Sequence, residues 1–362
     1  MRFAFSEEQA MLRDMLRGAL QREAGLDKVR RWAESADLRA FAEIASRNAW
    51  IGIGVDEEIG GQGGSLIEQA ILFEELGRSG APSGALLGGA GALLSFGTGA
   101  AAHVDPAVAR SALERSCALC VSAGRAADTL TTDVCEVRGR LSGTVPLVLN
   151  ATAASDLLVP IPGAHGIDLW FLPTATSGVM VKPRHLIDMT REFGDVVLSD
   201  AQASHVGRVD HSAAVRANAA LALLVAAESL GLARRMLEMT VDYVSQRVQF
   251  GVPVGSFQAV KHAAAEAFVD IEAVHSGVYY TAWALANGEP DALLHAWIAK
   301  SFAGEAAVRT ADCALRLHGA IGYTWEYDLQ LLYKRAKINL ELFGSPRGYR
   351  ERIASAVLAP PS

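Results

Sequence analysis

The segment Arg247-Val-Gln-Phe-Gly-Val-Pro-Val-Gly-Ser-Phe-Gln258 gathers an arginine, two glutamines and two aromatic rings around a turn. A guanidinium offers a planar fork of donors that matches a phosphate or carboxylate. On that chemistry Arg247 clamps a phosphate while Gln249, Phe250, Phe257 and Gln258 line a nucleotide. Gly251 and Gly255 let the backbone come close to it. A second reading makes Arg247 a cation at the negative end of a helix dipole, in a packed loop. The segment Arg316-Leu-His-Gly-Ala-Ile-Gly-Tyr-Thr-Trp-Glu326 raises the same choice. Arg316 and Gly319 form either a backbone platform for a nucleotide or an ordinary glycine-stopped helix end. His318 stands alone, as a hydrogen-bonded structural residue does. Cys117 and Cys120 are spaced C-x-x-C, but no second pair completes a metal site and no thioredoxin-like context follows, so they are expected as small residues in a strand.

The elements that position these motifs fall into three zones. Residues 1–112 read mostly as helix, with Ser6 as an N-cap and Glu7–Glu8 at the positive dipole end. The glycine-rich Trp50–Gly64 stretch breaks that zone, and small-residue helix resumes to about Gly99. Residues 113–208 carry short β-favouring runs at Cys117–Val121, Asp133–Arg138, Leu147–Leu149, Leu157–Pro160, Leu169–Leu172 and Val196–Leu198. Without long helices between them they predict a small β-barrel or sandwich and no parallel βαβ sheet. Residues 209–362 return to helical spacing, at Ser212–Gln246, Phe257–Asn287, a third helix capped by Asp291 and running to about Leu317, Tyr327–Leu342 and a last piece through Leu358. Short connectors between long helices predict an antiparallel four-helix bundle. The fold class is α+β, mainly α.

Composition narrows the partners. The 362-residue chain is 51% hydrophobic with a net charge of -7, which speaks against nucleic acid and anionic membranes. Its most apolar run, Ala219–Ala227, is far shorter than the ~20 residues of a membrane span. The polar start lacks a signal-peptide core, and four cysteines are too few for a disulfide framework. A cytoplasmic protein is expected.

Nearly the whole chain resembles the acyl-CoA dehydrogenase family. Arg247–Gln258 is close to that family's R-x-x-F-G-x-P-x-x-x-F-Q pattern. Phe5–Gln9 resembles its N-terminal opening, Trp50–Leu66 its glycine-rich loop, His318–Glu326 the region of Q-x-x-G-G-x-G-[YF], and Leu332–Lys337 its L-Y-R-D-A-K. The family binds FAD across a subunit interface. The resemblance therefore implies that Arg247, Gln249 and Phe250 touch the FAD of a neighbouring subunit, with Arg247 near the pyrophosphate. The glutamine of Q-x-x-G-G falls on Arg316, its first glycine on Gly319 and its second on Ala320.

The departures bear on catalysis. The family's T-E-P-x-x-G-S-D falls near Cys120–Asp128 and is almost erased. Its W-I-T-N strand falls on Leu147-Val-Leu-Asn150, where Leu149 has no hydroxyl to donate to a flavin. Its catalytic glutamate falls on Phe343 or, in a minority of members, on Leu221. Neither removes a proton. Glu228 lies two turns beyond Leu221, ~10 Å along the axis, and Glu341 points elsewhere on its helix. No catalytic residue and no metal ligand is therefore expected in this chain.

The pattern resembles the base-lacking subunit of actinobacterial steroid side-chain enzymes. That resemblance implies an α2β2 assembly with a homologous catalytic subunit, an acyl-CoA substrate and an electron acceptor. Two other readings stay open: a homo-oligomeric flavoenzyme with altered chemistry or a relocated base, and a non-catalytic acyl-CoA-binding scaffold.

Overall fold

The computed structural model describes residues 4–97, 103–114, 117–124 and 131–358. Helix α1 (Glu7–Glu23) starts as the sequence predicts. The Ser6 hydroxyl accepts the Gln9 amide at 3.2 Å and the Gln9 side chain accepts the Ser6 amide at 3.0 Å. After α2 (Leu26–Ser35) and α3 (Arg39–Arg47) comes the glycine-rich break, pinned by a bridge between Val55 and Gly63. Ser65 and Glu68 then repeat the reciprocal cap to open α4 (Leu66–Ser79). Helices α5 (Gly84–Leu94) and α6 (Pro106–Glu114) follow. The stretch expected to stay helical to about Gly99 ends earlier, and residue 99 lies outside the described residues.

The middle zone is two four-stranded sheets around one apolar cluster. Strands β1 (Cys117–Leu119), β4 (Asp156–Gly163), β5 (Gly166–Pro173) and β8 (Ser204–Val209) form the first, in that order. Strands β2 (Cys135–Val137), β3 (Arg140–Leu149), β7 (Phe193–Gln202) and β6 (Val179–Arg184) form the second. Val134, Leu141, Val148, Leu157, Val159 and Val196 lie between them. The β1–β4 pair is parallel, with no helix between its strands. The chain runs through β2 and β3 in the opposite sheet between the two, which supplies the long crossover a parallel pair needs. Sequence reading also passes over β6 and β8. Both are edge strands carrying Lys182, Arg184, His205 and Arg208, and edges are kept polar.

The C-terminal helices are α7 (His211–Gln246), α8 (Gln258–Asn287), α9 (Ala292–His318), α10 (Leu329–Glu341) and α11 (Pro346–Leu358), with a two-stranded hairpin, β9 (Val248–Gln249) and β10 (Val252–Pro253), between α7 and α8. Helix α7 is long and apolar enough to cross a membrane, yet 83% of its apolar stretch is buried inside the protein. It crosses α4 backbone to backbone. A Cβ on Gly77 would sit 2.1 Å from the Glu228 carbonyl oxygen, and one on Gly231 would sit 1.9 Å from that of Glu74. Asp291 stands at the start of α9 as expected but does not cap it. Its carboxylate accepts the Tyr280 hydroxyl at 3.1 Å and lies 3.1 Å from His295 Nε2.

Where the zones meet, four charges are buried together. Glu228 on α7 takes a hydrogen bond from Arg335 on α10 at 2.7 Å and one from Arg191 in the β6–β7 connection. Arg335 also reaches Asp188 at 2.7 Å, and Arg191 reaches Asn339 at 2.6 Å. Ser83, ahead of α5, donates to Glu228 at 2.6 Å. All four charged side chains are at most 1% exposed. Two positive and two negative charges cancel, and nearly every lone pair and N–H is matched, the condition under which buried ions are tolerated. Although burial raises a carboxyl, the two guanidiniums win and hold Glu228 at about 2.

Glu228→Gln leaves two buried guanidiniums facing one carboxylate. We expect it to cost roughly 3–5 kcal/mol in chemical denaturation, against less than about 0.5 for Glu341→Gln at an exposed position. A carboxyl held below its unfolded value stabilises the fold above that value and loses the benefit as pH falls. The wild-type chain should therefore lose roughly 3 kcal/mol from this group between pH ~4.5 and ~2, a component absent from acid unfolding of the Gln variant.

Candidate functional site: an exposed hairpin and a closed crevice

Helix α7 ends at Arg247, whose amide still bonds the Tyr243 carbonyl at 2.9 Å while its own carbonyl accepts the Val254 amide at 2.8 Å. That bond closes the β9–β10 hairpin. Phe250 takes a left-handed φ of 54° at its tip and Gly251 follows at 79°, so two successive positive angles turn the chain. Phe250 is 93% exposed and Phe257 39%, their rings edge to face at 6.3 Å. Arg247, Gln249 and Gln258 are exposed as well. Gln249 turns its amide onto the Val248 carbonyl at 2.8 Å. Among the described residues nothing buries the Phe250 ring, whose burial elsewhere would be worth about 2 kcal/mol.

The second motif arrives at the same end of the bundle. Helices α7 and α9 pack side by side, and Tyr243 on α7 stacks on His318 at the end of α9, ring centroids 4.5 Å apart. His318 is the structural residue expected: its ring nitrogens meet the Ala314 carbonyl at 2.8 Å and the Tyr327 hydroxyl at 3.1 Å. Burial lowers its pKa, so it stays neutral. Arg316 and Gly319 are exposed, and Gly319 ends α9 at φ 64° with open space where a Cβ would go. The structure thus brings Arg247, Gln249, Phe250, Phe257 and Gln258 together and sets Arg316 and Gly319 on the neighbouring helix end.

The positions singled out for a base and a flavin-facing strand lie elsewhere, buried in the packed core where the β3 end, α5, α7 and the α10–α11 turn meet. Leu221 is fully buried, its methyls 3.5 Å from the Cβ position of Gly91 on α5, and Leu119 reaches the same spot at 3.2 Å. Leu149 is buried at the end of β3, and Leu147 takes a left-handed φ of 54° at a bulge in that strand. The Phe343 amide donates to the Ala123 carbonyl at 2.8 Å, and the Ala123 amide donates to the Leu147 carbonyl at 3.0 Å. The Phe343 carbonyl accepts the Tyr349 hydroxyl at 2.7 Å. Backbone bonds therefore tie the α10–α11 turn to the end of β3 through Ala123. Of the erased loop, Arg125–Asp128 lies outside the described residues.

Lys300, missed in the sequence, fixes this turn from below. It is fully buried on α9 and donates to the carbonyls of Asn339, Leu340 and Gly344 at 3.0, 3.2 and 3.2 Å, with its pKa pushed down to about 7 by burial. Asn339 and Leu340 carry orphan acceptors at the end of α10, and Gly344 lies in the turn beyond it. Also missed was Arg335. It stands where L-Y-R-D-A-K has its aspartate, and the charge reversal was the available signal. Glu228 is committed to the buried ion cluster, and Glu341 is exposed. Cys117 and Cys120 are buried at β1, with Cys117 pushed up to about 12 and Cys120 higher, so neither supplies a thiolate.

Comparison with known proteins places the fold. Residues 6–103 match the family model described as acyl-CoA dehydrogenase, N-terminal domain, and residues 214–358 that described as acyl-CoA dehydrogenase, C-terminal domain. The chain is 31% identical to acyl-CoA dehydrogenase IpdE2 of Mycolicibacterium smegmatis, over 97% of this chain and 99% of that one. Among solved structures it resembles a chain of the ChsE4–ChsE5 complex from Mycobacterium tuberculosis, with a TM-score of 0.86 at 23% identity over all of both chains. It also resembles a chain of the Tcur3481–Tcur3483 steroid ACAD, with a TM-score of 0.84 at 24% identity over 97% of this chain and 98% of that one. The helical zones, the sheets between them and a relative matched end to end agree: this chain belongs to the acyl-CoA dehydrogenase family of FAD-dependent oxidoreductases.

Proposed function

We propose that this chain is the helper subunit of a hetero-oligomeric acyl-CoA dehydrogenase. It lends the hairpin Arg247–Gln258 and the edge at Arg316 and Gly319 to the FAD of a homologous partner, and the partner carries the base. The observation that carries this reading is the burial of Leu149, Leu221 and Phe343 in the core, at the places where a flavin-facing strand and a catalytic glutamate are expected. Neither candidate position carries a carboxylate, and a leucine stands where a donor to the ring is needed. The residues present do not fit a flavin there. They do fit the outer side of one: a free guanidinium, two amides and an uncovered aromatic ring, at the end of the molecule remote from any base.

The substrate class is a CoA thioester of a steroid side chain. Its support is the company the fold keeps, since one structural neighbour is a steroid ACAD and another is a chain of the ChsE4–ChsE5 complex. The α2β2 arrangement rests on that second neighbour and on the exposed hairpin. An external electron acceptor serves the partner's flavin. A homo-oligomeric enzyme with a relocated base has less support, because Glu228 is neutralised by two arginines and Glu341 faces solvent.

Purified alone, the chain should be nearly colourless and should retain little FAD after desalting. A stoichiometric flavin spectrum from the homogeneous chain contradicts the proposal. In the complex formed by co-expression with the partner, Arg247→Ala should weaken FAD retention by about 1.5–3 kcal/mol, the scale of a charged hydrogen bond. Unchanged FAD affinity in an assembled mutant makes Arg247 only a helix cap. Glu341→Gln in this chain should leave turnover of an acyl-CoA nearly unchanged, whereas loss of a general base costs on the order of 100-fold or more.

A further inference from the structure

A cavity lies away from both the hairpin and the buried positions Leu149, Leu221 and Phe343. It holds about 550 Å³ between the start of α1, α4, α7 and the second half of α8. That volume is in the ~300–1,000 Å³ range of small-molecule sites. Its walls are aromatic. Phe5 packs edge-on to Tyr279 at 4.7 Å, His275 to Tyr279 at 4.9 Å, and Trp283 stands 5.9 Å from Tyr280. Ile67 closes one side.

The polar groups of this cavity are mismatched. The Arg234 Nε and the His275 Nδ1 are buried atoms with no hydrogen-bond partner. Arg234 is balanced only at longer range, with Glu74 at 3.4 Å and Glu272 at 3.6 Å. One oxygen of Glu74 is already taken by the Tyr279 hydroxyl at 2.6 Å. Arg13 adds a second guanidinium to the lining, 5.9 Å from the Phe5 ring, with Asp14 at 2.8 Å as its partner on the exposed side. A buried guanidinium N–H without a well-directed partner carries a penalty that a ligand oxygen removes. Flat rings, by contrast, offer their faces to an apolar body.

We propose that this cavity is a binding site for a small carboxylate with a flat, fused-ring apolar body, its carboxylate oxygen meeting Arg234 and its rings lying against Tyr279, Tyr280 and Trp283. The site is independent of the flavin edge, and nothing in the proposed reaction uses it. The test is calorimetric titration of the full chain with 2-naphthoate, and with the neutral 2-naphthalenemethanol as its counterpart. We expect one saturable site per chain with a Kd on the order of 0.1 mM, and at least tenfold weaker binding of the alcohol. Arg234→Gln should weaken naphthoate about tenfold. Ile67→Trp, which fills the cavity without touching a charge, should abolish binding while the melting temperature shows the chain folded. Absence of saturable binding, an alcohol that binds as tightly as the acid, or a folded Ile67→Trp chain that binds as the wild type does would each overturn the proposal.

Discussion

The meeting of four buried charges is the constraint on which the arrangement of this molecule depends. Glu228, Arg335, Arg191 and Asp188 come from α7, α10 and the β6–β7 connection, and Ser83 joins them from the turn before α5. An ion in a low-dielectric interior is unstable unless its partners are in place. The helical zones and the sheets therefore cannot shift against each other without stranding a charge. The contact of α4 with α7 through Gly77 and Gly231 adds a steric version of the same demand, since any side chain at either glycine would collide with backbone. Together they set the position of the α10–α11 turn, and Lys300 holds that turn by its carbonyls.

That packing buries one set of singled-out positions and leaves the hairpin exposed. Phe343, Leu149 and Leu221 are packed into the interior that the charge cluster organises, and the backbone bonds through Ala123 tie the α10–α11 turn to the end of β3. The hairpin hangs from the far end of α7, beyond the cluster, and keeps a nearly fully exposed phenylalanine at its tip. Exposed apolar surface of this kind is a mark of a contact site.

Much of this was legible in the sequence, for local reasons. Ser6 with Gln9 is a cap readable over four residues, and the long helices follow from periodicity. The hairpin motif is contiguous, so its residues had to come together. The charge cluster was not legible. Its members sit at positions 83, 188, 191, 228, 335 and 339, and no local pattern joins residues that far apart. Arg335 was hidden inside a stretch whose resemblance was read for its likeness and not for its reversed charge. Asp291 was misread as a cap because its carboxylate has nearer partners in Tyr280 and His295. The edge strands β6 and β8 lacked the apolar alternation that reveals a strand, as edges do.

The central claim is that one chain of the assembly holds no flavin of its own. It is tested most directly by counting bound FAD against protein in the purified complex of this chain with its partner, by quantitative absorbance after denaturation alongside the mass of the assembly. The account predicts one FAD for each pair of unlike chains. One FAD for every chain would contradict it.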